Sequence, residues 1–194
     1  MAMLRSVHGV YKSLLTNHPM KVQAIQAGSL MGFGDFISQK LIEKSDSCDM
    51  DRTIRYGSVG LVVGPSLQKW FGFLERRIGR GGFKTLIVKV AIDQLCFAPC
   101  FLAFIVSLVN TVQGKSFEET QNKLKNNYFD ILKANYMLWP WVQIANFSIV
   151  PLSYRVVVIQ SVAVSWNMYL SWKLNAAKHN SPIPSQLALP SELQ

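Results

Sequence analysis

Long stretches without charge are the feature that most constrains how this chain can fold. Three runs contain no Asp, Glu, Lys or Arg: residues 94–114, 134–154 and 156–172. An apolar run of about 18 or more residues with few charges is a candidate transmembrane helix. Two further candidates, residues 22–41 and 56–74, are interrupted by Asp35 and Lys69.

A water-soluble helical protein with very apolar core helices is the alternative. Such helices need a charged face toward water, and the charge-free runs leave no residues to form one. The chain is only 16% charged, whereas soluble proteins average about 25%. The sequence therefore predicts an all-α polytopic membrane helix bundle, with one membrane-embedded domain over residues 1–174 and a disordered polar tail over residues 175–194.

The net charge of +9 would suit a nucleic-acid ligand if the basic residues formed one surface. Instead, basic residues are in excess before Asp35 and over residues 69–89, whereas residues 40–55 and 115–133 mix both signs. Basic excess on alternate loops is typical of multi-span membrane proteins and suits anionic lipid headgroups. Membrane lipids are therefore expected partners, and nucleic acid is not.

Two amphipathic segments lie outside the candidate spans. Residues 3–17 are basic and free of acids, and they predict a short helix at the membrane interface that ends at the Asn17–His18–Pro19 turn signal. The same composition is typical of a mitochondrial targeting sequence. After Gly114, the stretch SFEETQNKLKNNY predicts a solvent-side helix with a serine cap.

Glycines recur at a spacing of four residues in two candidate spans. Gly28 and Gly32 mark the first span, and Gly60 and Gly64 mark the second. Small residues at this spacing let helix backbones approach closely in lipid. We therefore expect these glycines to pack one helix against another.

Polar residues follow one face of the charge-free stretch 134–154. Asn135, Gln143 and Asn146 share this face because they stand eight and three residues apart on a helix. Polar side chains at membrane depth nearly always turn toward partners or water. The stripe therefore predicts a polar interior.

Four prolines interrupt the candidate spans: Pro65, Pro99, Pro140 and Pro151. Each removes a backbone donor, and the carbonyl that it frees needs a neighbour or water inside a membrane. We interpret these prolines as candidate hinges.

Further polar residues lie on the other spans: Asp35, Gln39, Asp93, Gln94, Arg155 and Asn167. A carboxylate within a span is costly unless it is paired or hydrated. Two interpretations stay open. These residues line a water-filled path, or they hold helices together, with Asp35 or Asp93 paired with Arg155.

Little in the sequence supports catalysis. The histidines, His8, His18 and His179, lie outside the spans, and no nucleophile elbow, dinucleotide fingerprint or metal-ligand motif is present. We expect no enzyme activity, no metal site and no cofactor. Cys96 and Cys100 are expected to be small buried apolar residues, with a redox-sensitive thiol as the alternative.

The polar stripe belongs to a longer motif: Trp139–Pro140, Gln143, Asn146–Phe147, Val150–Pro151, Arg155, and Trp166–Asn167 continuing to Ser171. With GSLMGFGDFISQ, VGP at 63–65 and the DQ…FAP run at 93–99, it resembles the Mpv-seventeen and peroxisomal-membrane-protein-twenty-two family over most of the chain. The resemblance implies four transmembrane helices, which fits five candidates if the chain bends at Pro140 and Pro151. It also implies the mitochondrial inner membrane, or alternatively the peroxisomal membrane.

Three functions follow as hypotheses. The first is a weakly selective small-solute channel, which the resemblance links to mitochondrial homeostasis, membrane potential and mitochondrial DNA maintenance. The second is a non-conducting membrane scaffold, and the third is a metabolite carrier with Pro140 and Pro151 as hinges. The expected partners are membrane lipids, small polar solutes or metabolites, and further copies of the chain.

Overall fold

The computed structural model describes residues 2–42, 47–79 and 81–165, and all regular structure within these ranges is helical. The helices are α1 (Ala2–Asn17), α2 (Pro19–Ile37), α3 (Met50–Ile78), α4 (Phe83–Val112), α5 (Phe117–Ile149) and α6 (Leu152–Ser165). The predicted all-α class is confirmed. Asn167 and the tail over residues 175–194 lie outside the described residues.

Local sequence signals set the helix ends. The break at His18 separates α1 from α2, as the turn signal predicts. Ser116 begins α5 with a reciprocal capping box, in which its hydroxyl accepts from the Glu119 backbone N–H and its own N–H donates to the Glu119 carboxylate. That backbone hydrogen bond holds the pKa of Glu119 below its usual value.

Two of the helices contain π turns, which are uncommon and often mark functional sites. Ser38–Ile42 extends α2, and Asp93–Phe97 lies within α4. Each turn includes a polar residue that the sequence singles out, Gln39 in the first and Asp93 in the second.

Helix α5 is longer than the sequence suggests. The serine-capped segment and the polar stripe were expected to be separate elements, but they form one helix that continues through Pro140. Pro65 likewise lies inside α3, and Pro99 lies inside α4 after its π turn. Only Pro151, of the four candidate hinges, falls between helices, where the chain turns from α5 into α6.

One helix among the described residues is both long enough and apolar enough to cross a membrane. By length and composition, α4 is long and apolar enough to cross a membrane, and α6 is apolar but shorter. The predicted spans 22–41, 56–74 and 134–154 fall on α2, α3 and α5. Polar residues within these helices keep them below the same criterion, so the prediction of four spans is not confirmed by hydropathy.

Glycines bring α2 and α3 into direct backbone contact. A Cβ atom at Gly60 would lie 2.4 Å from the carbonyl oxygen of Ala27, and one at Gly64 would lie 2.2 Å from that of Gln23. Both distances are impossible for a real side chain, so only glycine fits. Gly28 faces α3 at the same contact, whereas Gly32 has ordinary room.

The interior is unusually polar and the surface unusually apolar. Among the described residues, the buried apolar side chains gather mainly on α3, α5 and α6: Val59, Val63, Leu67, Phe71, Leu74, Phe147, Val156 and Ile159. Buried glutamines, asparagines and charged groups outnumber them. Leu95, Met137 and Trp141 are each more than 70% exposed. This inverts the pattern of a water-soluble protein and fits a lipid surrounding.

Replacing the glycine at the tightest contact should destabilise the bundle. We expect Gly64→Ala to lower the free energy of unfolding by about 1–3 kcal/mol, because the added methyl forces α2 away from α3. Thermal unfolding of the purified protein in detergent measures this effect.

Gly72 provides the matched control on the same helix. A Cβ atom there meets nothing within 4 Å, so Gly72→Ala should stabilise α3 by roughly 0.5–1 kcal/mol through helix propensity. Equal effects of the two substitutions would contradict the proposed role of the close contact.

Candidate functional site

A buried carboxylate on α4 gathers hydrogen bonds from three helices. Asp93 is 1% exposed. The Trp70 indole N–H donates to its Oδ1 at 2.6 Å, and the side-chain amides of Gln94 and Gln143 donate to its Oδ2 at 2.7 and 2.9 Å. Asn146 donates in turn to Gln143 Oε1 at 3.2 Å. We name these five residues the Asp93 cluster.

The π turn of α4 explains how two adjacent residues enter one cluster. Consecutive side chains of a regular α-helix diverge, whereas the wider turn brings both Asp93 and Gln94 inward. The backbone carbonyl of Gln94 accepts a hydrogen bond from the Tyr136 hydroxyl on α5 at 2.9 Å. Helix α5 therefore contacts the turn through Tyr136 as well as through its polar stripe.

Several buried amide atoms have no hydrogen-bond partner among the described residues: Gln23 Oε1, Gln26 Oε1, Gln68 Oε1, Gln94 Oε1, Asn135 Nδ2, Asn146 Oδ1 and Gln160 Nε2. Leaving such an atom unpartnered costs about 1–3 kcal/mol, and native proteins usually supply water or a ligand. Gln94 Oε1 and Asn146 Oδ1 belong to the Asp93 cluster. These two oxygens of the cluster can therefore accept hydrogen bonds that no described residue donates.

A second cluster consists of Glu75, Lys89 and Arg155. Lys89 Nζ lies 2.6 Å from Glu75 Oε2, and Arg155 Nη1 lies 2.9 Å from the same oxygen. Arg155 also donates to the Val150 carbonyl at 3.1 Å and lies over the Phe147 ring, 5.2 Å from its centroid. This Glu75 cluster ties α3, α4 and α6 together.

The two clusters are adjacent on α4. Lys89 and Asp93 are four residues apart and both are buried, so they occupy one face of the helix. The acids Glu75 and Asp93 formally balance the bases Lys89 and Arg155. Charge balance of this kind is what makes four buried ionisable groups tolerable in a low dielectric.

Asp35 belongs to a third, separate cluster. Arg52 Nε lies 2.8 Å from its Oδ1, and Gln39 and Thr53 donate to its Oδ2 at 2.7 and 2.9 Å. Gln39 Oε1 also accepts from the Asp49 backbone N–H at 2.7 Å. This Asp35 cluster joins the end of α2 to the start of α3, and both carboxylate oxygens are engaged.

The predicted pairing of Arg155 with Asp35 or Asp93 is wrong. Arg155 pairs with Glu75, Asp35 pairs with Arg52, and Asp93 takes neutral donors within the described chain. The reason is helix order in space: α6 approaches α3 at Glu75. Of the polar stripe on α5, Gln143 and Asn146 lie inside and Asn135 is half-buried.

Sequence reasoning missed Glu75, Lys89 and Trp70. Residues 69–89 contain six basic residues and one acid, Glu75. This imbalance could have marked Glu75 as the buried partner of a basic residue. Lys89 stands four residues before Asp93, a spacing that also signals a shared face. Nothing in the sequence separates Trp70 from the other tryptophans as a hydrogen-bond donor.

The cysteines of α4 are not buried. Cys96 and Cys100 are free and exposed, so the expectation of small buried residues is wrong. Both lie away from the clusters on α4, where a small apolar side chain suits lipid as well as a core. Among the described residues, no group of three or more histidine, cysteine or acidic side chains is placed to hold a metal ion.

Removing the shared carboxylate should strongly destabilise the bundle. Glu75→Gln leaves two buried cations without their anion, and breaking a buried pair in this way typically costs about 3–5 kcal/mol. Glu118→Gln, which removes an exposed acid, should change stability by less than about 0.5 kcal/mol. Unfolding midpoints in detergent compare the two, and similar midpoints would show that the Glu75 cluster is not structural.

Comparison with known proteins gives consistent matches. A model of the Mpv17 / PMP22 family matches residues 110–171. The chain is 45% identical over 168 residues to "Mitochondrial inner membrane protein Mpv17" of Danio rerio, covering 85% of this chain and 95% of that protein. The Homo sapiens protein of the same name is 46% identical over 166 residues, with coverages of 84% and 94%. "Protein sym-1" of Neurospora crassa is 37% identical over 169 residues, with coverages of 84% and 95%. No solved structure matches the chain.

Proposed function

Because the chain belongs to the Mpv17 / PMP22 family and is a mitochondrial inner-membrane protein, we propose that it is a weakly selective channel for small solutes. Solutes would diffuse along a hydrated interior without a catalytic step or cofactor. As the family resemblance implies, this activity would support membrane potential and mitochondrial DNA maintenance.

The unpartnered acceptors beside Asp93 are the observation that carries this proposal. A helix bundle held together only by internal contacts has nearly every buried polar group paired. Here Gln94 Oε1 and Asn146 Oδ1 lack partners among the described residues, next to a carboxylate that takes only neutral donors. Water and small polar solutes supply the missing donors.

The proposal includes four membrane crossings, three of them made by α2, α3 and α4. Residues 134–149 extend about 24 Å as a helix, whereas the hydrocarbon core is about 30 Å thick. This charge-free part of α5 is short for a crossing by itself. We therefore count the segments that meet at Pro151 as one bent crossing.

The clusters divide the proposed roles. Asp93, Gln143 and Asn146 would line the path, and Asp93 would set its charge preference. Asp35 would hold α2 to α3, because its charge is paired with Arg52, whereas Asp93 takes neutral donors within the described chain. The Glu75 cluster would brace α3, α4 and α6 around the path.

A non-conducting scaffold is the second candidate, and specific contacts favour it. Arg52 and Arg155 have acidic partners, and the glycine contact of α2 with α3 is suited to stable packing. A carrier is less supported, since Pro65 and Pro140 lie within unbroken helices and Pro151 alone stands at a corner.

Conductance of the purified protein in planar bilayers tests the channel. We expect currents carried by several small ions, and we expect Asp93→Asn to shift the reversal potential under a salt gradient toward anions. One buried charge is removed from the lining, so the cation-to-anion permeability ratio should fall by several-fold.

Glu118→Gln is the control, because it removes the same charge from an exposed site outside the clusters. It should leave the permeability ratio unchanged. Well-folded protein that carries no current would reject the channel and favour the scaffold. Flux that saturates and is specific to one solute would favour a carrier.

A further inference from the structure

An open groove of about 370 Å³ lies on the outer side of the bundle between α3 and α4. Its lining is Ser66, Lys69, Trp70, Phe73 and Phe97. Three aromatic rings make up most of this surface, and the Ser66 hydroxyl already donates a hydrogen bond to the Val62 carbonyl. The groove is therefore apolar along its floor, with a lysine at its edge.

The floor is held in place from inside the bundle. The Trp70 ring stacks on Phe97 at 4.3 Å between centroids and 8° between planes, and it also stacks on Phe73 at 5.7 Å. The indole N–H is fixed by its hydrogen bond to Asp93. A surface held by such contacts loses little side-chain entropy when a ligand binds.

Two cations flank the groove on α3. Lys69 is exposed, and the Arg77 guanidinium lies over the Phe73 ring, 5.8 Å from its centroid. Both stand four residues from Phe73, so both are one helical turn from it. Glu75, the one acid in this half of α3, is engaged with Lys89 and Arg155. The outer face of this half of the helix therefore presents positive charge beside aromatic rings.

We propose that this groove binds an anionic phospholipid of the surrounding bilayer. The acyl chain lies along Trp70, Phe73 and Phe97, and the phosphate lies between Lys69 and Arg77. A wholly polar anion would interact only with the two exposed cations, whereas an amphiphile would also bury apolar surface against the aromatic rings. Long basic side chains commonly reach from an apolar surface to headgroup level in this way. Trp70 belongs to both the groove and the Asp93 cluster, but the lipid would bind on the outer side of the bundle, so this proposal does not depend on conduction.

Tryptophan fluorescence quenching by brominated lipids tests the proposal. The full chain and its Trp70→Phe variant are reconstituted in phosphatidylcholine vesicles, and the difference between their signals isolates Trp70. Brominated phosphatidylglycerol is then compared with brominated phosphatidylcholine. We expect phosphatidylglycerol to quench Trp70 at a mole fraction roughly thirtyfold lower, the ratio expected for two basic residues near an anionic lipid.

Charge variants distinguish a specific lipid-binding site from nonspecific contact with the bilayer. Lys69→Gln and Arg77→Gln should each move the phosphatidylglycerol curve toward the phosphatidylcholine curve. Arg55→Gln should leave it unchanged, because Arg55 is an exposed cation at the other end of α3. If Trp70→Phe does not fold, total tryptophan quenching in the charge variants gives the same comparison.

Two results would overturn the proposal. Equal quenching of Trp70 by the two lipids would show ordinary lipid contact without a site. Release of phosphatidylglycerol by inorganic phosphate at matched ionic strength would instead show a site for a soluble anion. Loss of conductance in the same preparations would bear on the channel and not on this groove.

Discussion

The carboxylate of Asp93 constrains the arrangement of the helices around it. A buried ionised group needs several donors, and this one takes them from Trp70 on α3, Gln94 on α4 and Gln143 on α5. None of these helices could rotate about its axis without uncovering the charge. Arg155 adds α6 to the same region through the Glu75 cluster. Polar contacts therefore set the orientation of the helices, while their apolar sides face outward.

Stability and solute passage place opposite demands on buried polar groups. A group that stabilises must have its partners within the chain, whereas a group that lines a path must keep capacity for water or solute. The described residues include groups with partners and groups without them. The carboxylates of Asp35 and Glu75 are paired with bases, whereas the amides of Gln94 and Asn146 keep unpartnered oxygens. Because the charged groups are paired, the bundle can remain folded although some buried amide oxygens have no hydrogen-bond donor among the described residues.

Local signals predicted the helical class, the ends of α1 and the serine cap of α5, because each depends on a few adjacent residues. Periodicity likewise placed Gln143 and Asn146 inside. The partner of Arg155 could not be predicted, since Glu75 is 80 positions away and pairing depends on which helices are neighbours. The prediction that Cys96 is buried failed for another reason: in lipid, small apolar residues suit the surface and the core equally. Continuity of α5 was missed because a proline costs a helix one hydrogen bond without necessarily ending it.

The position of Lys89 and Asp93 on the most apolar helix has a consequence for biogenesis. A charged residue at the centre of a lone span opposes insertion by about 2.5–3.5 kcal/mol, and Lys89 and Asp93 lie in the first half of α4. Their partners, Glu75 and Gln143, come from helices before and after α4 in the chain. Helix α4 should therefore enter lipid alone less readily than its hydropathy suggests. If α3 and α4 insert together as a hairpin that turns at Gly79 and Gly82, Lys89 enters the membrane already paired with Glu75.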